Sequence, residues 1–249
     1  MMQQQLNSSP IYDEIRDVLI DDHDDIFIHE NGIMQLVDET HIAGNNRKYL
    51  ELYDKIAPLY RMSNAIYFKW KFGGEWNYRQ EFLSELEINP NDRVLETSVG
   101  AGDNFRFLRE DITLFGLDLS YGMLKQAQKN LKRWKRDAYL LQANAEVLPF
   151  KDHSFDVVFH VGGINFFNDK RAAILEMIRV AKSGTKIVIV DETNKLIEST
   201  YKKTPITKNY YQEANAIGAP VELIPDDMLD IHWKEVCQGL MYCVTFKKP

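Results

Sequence analysis

The sequence is poor in the residues that staple a chain, anchor it in a membrane or hold it to nucleic acid. Two of its 249 residues are cysteine, Cys237 and Cys243. That number supports neither a disulfide framework nor a cysteine zinc site. The two face each other only if their segment is a hairpin centred near Leu240, and are otherwise reduced, half-buried thiols. The longest apolar runs, such as Ile187 to Val190, fall far short of the roughly 20 residues of a membrane span. The opening "MMQQQLNSSPIYDE" has no basic or apolar leader region, so no secretion signal and a cytoplasmic location are expected. Excess positive charge is also missing. A formal charge of −7 argues against a nucleic-acid partner, whose phosphates need clustered cations. The one basic cluster, Lys129, Lys132, Arg133, Lys135 and Arg136, sits where a helix ends, and reads as cations solvating the negative end of its dipole.

What is present is a globular composition, 45% hydrophobic and 27% charged, sized for one large domain or for one domain plus a small appendage. Residues 1–45 are acidic and weakly periodic, and read as an extension of short strands or irregular chain. Within it "DDHDDIFIHENGIMQLVDE" mixes acids and histidines without metal-ligand spacing, so a solvated turn with short strands is expected there and no metal. Residues 46–249 form the main domain. "RKYLELYDKIAPLYRMSN" places Leu50, Tyr53, Ile56, Ala57 and Tyr60 on one helical face, and a second helix is expected over Asn77 to Glu87. Apolar β-branched runs then recur at Val94–Thr97, Thr113–Leu117, Tyr139–Gln142, Phe155–Phe159 and Lys186–Val190. Helical patterns at Asn104–Glu110, Ser120–Trp134 and Asp169–Lys182 separate most of them. Ser120 and Asp169 suit N-caps, and Gly184 a C′ position. This is the βαβ rhythm of a doubly wound parallel sheet. A helix near Thr207–Ile217 precedes two further strands joined at Gln238-Gly239.

In such a sheet ligands bind at the carboxyl ends of strands, where the topology switches sides. The first turn there is "VLETSVGAGDNFRFL". Gly100 and Gly102 let the backbone bend and approach a ligand. Glu96 ends the strand before them, and Asp118 ends the next one, placed to accept hydrogen bonds from ribose hydroxyls. A dinucleotide turn wants a further glycine where Phe105 stands. Bulky Phe105 disfavours a pyrophosphate, and with it a dinucleotide-linked oxidoreductase. An acid aimed into the turn repels phosphate and attracts an ammonium group. A ligand with a ribose and no phosphates fits both features.

"VLETSVGAGDN" resembles the first motif of class I S-adenosylmethionine-dependent methyltransferases, acid-x-Gly-x-Gly-x-Gly, with Glu96 as the acid and Ser98, Gly100 and Gly102 at the glycine positions. Ser98 is the departure. "GLDLSYGMLKQAQKN" resembles the second motif. "ANAEVLPFKDHSFDVVF" resembles a signature of the ubiquinone/menaquinone-biosynthesis-type branch, the methyltransferase domain 11-like enzymes, and "RVAKSGTKIVIVDE" resembles the turn and fifth strand. The resemblance implies an α/β, Rossmann-like, seven-stranded sheet of order 3-2-1-4-5-7-6 with the last strand antiparallel, beneath an N-terminal helical lid. It implies S-adenosylmethionine as cofactor and S-adenosylhomocysteine as product. The binding residues it marks are Glu96, Ser98, Gly100, Gly102 and Asn104 in the turn, Asp118 on the ribose, Leu119 and Met123 beside the adenine, and Asn144 and Ala145 at its amino group. Asn144 replaces a common aspartate, and its amide oxygen still accepts.

The implied reaction is in-line methyl transfer, which needs alignment of donor and acceptor and exclusion of water. His160, ending "FDVVFH" beside the cofactor, is the candidate general base, its usual pKa of ~6.5 suiting proton removal near neutrality; the alternative is that it only packs there. Asp191 and Glu192 end the fifth strand, where capping and solvation are the simpler roles. In "GGINFFND", Gly162 and Gly163 permit bending and Phe166 and Phe167 can line an acceptor pocket. Tyr53, Tyr60 and Arg61 fall on the lid, where Tyr53 and Tyr60 can hydrogen-bond the cofactor's methionine carboxylate, with Phe72, Gly73 and Gly74 in the same wall. The Asn/Asp-Pro-Pro-aromatic signature of base and amide methylation is replaced here by "HVGGIN". The expected acceptor is therefore a small, partly apolar metabolite, acted on by a monomer or homodimer. A non-catalytic cofactor-binding paralogue is the other class of reading, kept open by Ser98 and Asn144.

Overall fold

The computed structural model describes residues 15–20, 27–28, 32–37, 42–204, 207–211 and 218–249. Among them the β-branched runs form β3 (Arg93–Thr97), β4 (Thr113–Asp118), β5 (Tyr139–Gln142), β6 (Val157–Val161) and β7 (Lys186–Glu192), all mutually parallel. The terminal segment gives β8 (Leu229–Val236) and β9 (Met241–Lys247), with β9 antiparallel to both β7 and β8. Two short strands precede these, β1 (Phe27–Ile28) and β2 (Met34–Gln35). β2 runs parallel to β5, matching Met34 with Leu141. The sheet is thus nine-stranded, in the order β1-β2-β5-β4-β3-β6-β7-β9-β8. The expectation of seven strands missed that the N-terminal segment closes an otherwise open edge, a common way to protect unpaired backbone. Ile15, Val18 and Leu19 of the same segment are buried in a core cluster with Phe150 and Phe155.

Four longer helices pack on this sheet: α1 (Gly44–Phe72), α2 (Glu75–Leu83), α3 (Tyr121–Trp134) and α4 (Lys170–Val180). The caps read from sequence are present. Ser120 Oγ accepts from the Met123 amide at 3.0 Å, and Asp169 Oδ1 from that of Ala172 at 2.9 Å. α4 stops at Val180, short of the expected end, and Gly184 lies in the turn beyond. The expected helix Asn104–Glu110 is a single 3-10 turn, Phe105–Phe107. Phe105 is fully buried in the core and Asn104 is committed to side-chain hydrogen bonds, so the chain is pinned before a helix can propagate. Of the helix expected at Thr207–Ile217, Lys208–Tyr211 is helical, and 212–217 lie outside the described residues. Cys237 and Cys243 are fully buried, not half-buried, and do not face each other: Cys243 is opposite Lys234, and Cys237 is in the turn with Sγ 3.4 Å from the Tyr78 carbonyl.

Candidate functional site

β3 lies between β4 and β6, and its neighbours are built outward on either side, so the switch point is at its carboxyl end. There the chain turns through Ser98, Gly100 and Gly102, with φ of 57°, 55° and 73°. Ser98 therefore sits in the left-handed region without being glycine, a conformation costing roughly 1–2 kcal/mol. This is the physical meaning of the glycine usual at that position. Asp118, at the end of β4, ties the turn down. Its two carboxylate oxygens accept from the amides of Gly100 and Ser120, each at 2.9 Å. Burial pushes its carboxyl up to about 6, opposed by those N–H donors. Met123 is buried against the turn, its methyl 3.4 Å from where a Cβ on Gly100 would stand.

Beneath the turn lies a buried polar chain that the sequence only half revealed. Glu96 is 1% exposed, and Oε1 accepts from Asn104 Nδ2. Asn104 Oδ1 accepts from Arg79 Nη1, and Arg79 Nη2 stands 3.6 Å from Asp103 Oδ2. Burial raises the Glu96 carboxyl to about 8, although Asn104 and Arg79 pull it down. Glu96 Oε2, Asp103 Oδ1 and Arg79 Nε are buried without a hydrogen-bond partner. Orphans of both signs at one place are costly unless something else completes them. Asp103 follows Gly102 in the turn but was not among the residues the motif marked. Nor was Arg79, because in "NYRQEFL" it shares the apolar face of α2 with Tyr78, Phe82 and Leu83, where nothing in the pattern marks an arginine as buried.

α1 crosses above the turn. Asp54 accepts hydrogen bonds from Ser120 Oγ and, at 2.9 Å, from the Gly122 amide, docking α1 on the start of α3. Tyr53, one residue earlier, packs with Ala57, Ala101 and Met123. The side chains of Tyr60 and Arg61 lie outside the described residues. Phe72 packs with Phe68 and Tyr78, in the core on the side of α2. Leu119 is half-buried, and its carbonyl accepts from Gln142 Nε2 at 3.1 Å. Asn144 uses Oδ1 to accept from the Glu146 amide at 2.9 Å, shaping the loop after β5, with Ala145 buried beside it.

On the other side of β3, His160 is fully buried. Its Nε2 accepts from the Ile164 amide at 3.0 Å, which leaves Nδ1 to donate to Thr97 Oγ1 at 2.9 Å. Burial holds the imidazole down at about 4, so it is neutral at neutral pH. Both ring nitrogens are thus engaged in hydrogen bonds within the fold. Asp191, also fully buried, accepts from the amides of Gly163, Asn165 and Glu192 and so fixes the loop after β6. Phe166 is buried in that loop against Tyr49 and Tyr211; Phe167 packs edge-on to His160. Among the described residues no group of three or more His, Cys, Asp or Glu side chains is arranged to hold a metal ion. None of the described helices is long and apolar enough to cross a membrane.

Comparison with known proteins agrees with this geometry. Residues 95–189, from β3 through most of β7, match the methyltransferase domain family. Over 155 residues the chain is 34% identical to the demethylmenaquinone methyltransferase of Thermotoga maritima, covering 60% of this chain and 64% of that one. Over 168 residues it is 32% identical to the enzyme of the same name from Lactiplantibacillus plantarum, covering 65% and 66%. The match thus spans just under two thirds of these relatives. Among solved structures, phosphoethanolamine N-methyltransferase 2 of Haemonchus contortus, in complex with S-adenosyl-L-methionine, superposes with a TM-score of 0.61 at 16% identity. It covers 84% of this chain and 61% of that one, a likeness that shows the fold alone. The domain match, the loop after β3 and the Rossmann-like mixed sheet are thus in accord, and over these residues the chain is similar to the S-adenosylmethionine-dependent methyltransferases of the ubiquinone/menaquinone-biosynthesis type.

Proposed function

We propose that the chain transfers a methyl group from S-adenosylmethionine to a small, partly apolar metabolite, with a quinone-type ring as the favoured acceptor. The observation that carries this reading is the pair of strand-end carboxylates, Glu96 and Asp118, flanking a left-handed turn at the switch point. The unpartnered atoms beneath the turn fit the zwitterionic end of the cofactor. Glu96 Oε2 and Asp103 Oδ1 suit its ammonium, and Arg79 Nε its carboxylate. Asp118 takes the ribose, Leu119 and Met123 pack on the adenine, Asn144 and Ala145 meet its amino group, and Tyr53 lines the wall under α1. When bound, the cofactor supplies an activated methyl on a sulfonium that is already a good leaving group. The protein's part is then to align the acceptor and exclude water, worth up to about 7–11 kcal/mol. His160 is a positioning residue in this account: it holds the loop carrying Phe166 and acts on no proton. The acceptor class is supported by the names of the two relatives and by the aromatic surroundings of the β7 end.

Calorimetry with S-adenosylhomocysteine tests the site. The wild type is expected to bind it and to melt at a higher temperature with it, while NAD has no effect. Asp118→Ala is expected to weaken binding by tenfold or more. Equal affinity in that variant rules out the ribose assignment, and no binding to the wild type rules out the reading as a whole.

A further inference from the structure

Glu192, the last residue of β7, is 4% exposed and has no role in the cofactor site described above. Its Oε1 accepts from Tyr201 Oη at 3.1 Å, and its Oε2 is buried with no hydrogen-bond partner. Around it the chain assembles aromatic rings from three separate segments. Tyr201 packs on Tyr211 at 4.7 Å between centroids, Tyr211 on Phe166 at 4.9 Å and on Tyr49 at 5.6 Å, and Tyr49 on Phe166 at 4.5 Å. Burial, and then the neighbouring charge of Asp191, push the Glu192 carboxyl well above its ordinary range. The same buried negative surroundings raise the phenols of Tyr49, Tyr211 and Tyr242.

We infer that Glu192 is a binding residue for the methyl acceptor, its unpartnered Oε2 hydrogen-bonded to an oxygen of a ring packed against Tyr49, Tyr201 and Tyr211. This deepens the proposed function and rests on it. In its protonated form, which burial favours, the carboxyl donates to a carbonyl or ring oxygen, and a pair of buried acids, Asp191 and Glu192, disfavours a phosphate, so the place suits an uncharged ring and rejects a phosphorylated one. Asp191 is the fixed support. Three N–H donors on its carboxylate hold it in place beside Glu192.

The test uses the full chain saturated with S-adenosylhomocysteine, titrated with 1,4-naphthohydroquinone under reducing, anaerobic conditions from pH 6 to 9. The wild type is expected to bind the probe, more weakly at the alkaline end as Glu192 ionises. Glu192→Gln, which keeps a neutral donor, should bind within about threefold of wild type and lose the pH dependence. Glu192→Leu should lose tenfold or more while its affinity for S-adenosylhomocysteine is unchanged. Phenyl phosphate should not bind. Tyr201→Phe, which removes only the bond to Oε1, should weaken the probe severalfold and serves if the leucine variant does not fold. The inference is overturned if Glu192→Leu or Tyr201→Phe binds like wild type, if Glu192→Gln fails as badly as Glu192→Leu, or if the wild type takes up S-adenosylhomocysteine but not the probe. A wild type that binds no S-adenosylhomocysteine overturns the proposed function instead.

Discussion

At the scale of single residues, Ser98 is where local preference and function disagree most openly. A serine at φ 57° gives up conformational energy that a glycine would not. Because the turn must be left-handed whatever occupies it, Ser98→Gly is expected to stabilise the ligand-free protein. The gain should be about 0.5–1 kcal/mol, reduced from the full strain because glycine also loosens the unfolded chain. Chemical denaturation measures it; a destabilised variant would mean that the hydroxyl makes a contact worth more than the strain. His160 makes the opposite point. Its place at the end of a strand was legible, and so was its chemistry as an imidazole. What sequence could not show is that an amide four residues later and a hydroxyl on the next strand consume both nitrogens. Roles that depend on which atoms remain unpaired are settled only when the chain has folded.

Among elements, the N-terminal extension illustrates what patterning can and cannot carry. Its strands are two residues each, too short for alternation to register, and the strand that β2 joins lies more than a hundred residues away in β5. The parallel strands, by contrast, were legible nearly to the residue, because a strand buried on both faces writes a continuous β-branched run. β6 begins two residues later than expected: Phe155 makes only an isolated bridge to Ala181, and its ring is fully buried in the aromatic core. Since Leu19 is 3% exposed and bridges Phe150, the extension is expected to unfold with the main domain and not before it. Leu19→Ala should cost about 2–5 kcal/mol, as for a leucine in a well-packed core, and should shift a single transition. A cost under half a kilocalorie, or a separate early transition, would make the extension an appendage.

For the molecule as a whole, the buried acids make stability depend on pH in a way that the ligand should reverse. Glu96 has a folded pKa of about 8 against an ordinary 4.5, so the native state holds a proton that the unfolded chain has released. Stability from this source is complete below pH 4.5 and is lost as pH rises through 8. Asp118 behaves alike over a lower window, from 3.8 to about 6, and Glu192 adds to the alkaline loss. His160 works the other way. Its folded pKa of about 4 lies below the usual 6.5, so its contribution is present above 6.5 and lost as pH falls toward 4. From about pH 7.5 upward the unfolded histidine and Asp118 have finished titrating, and the ligand-free melting temperature is expected to fall as Glu96 ionises. Glu96→Gln should shallow that decline by about one proton's worth of slope, because an amide fills the same space without ionising. An ammonium-bearing ligand stabilises ionised Glu96 and should flatten the decline in the wild type as well, linking cofactor binding to proton release. If Glu96→Gln melts with the same pH slope as wild type, the raised acid beneath the glycine turn is assigned to the wrong residue. The ammonium subsite proposed on it then falls too, while the ribose contact proposed at Asp118, whose carboxylate is held by the Gly100 and Ser120 amides, does not depend on that outcome.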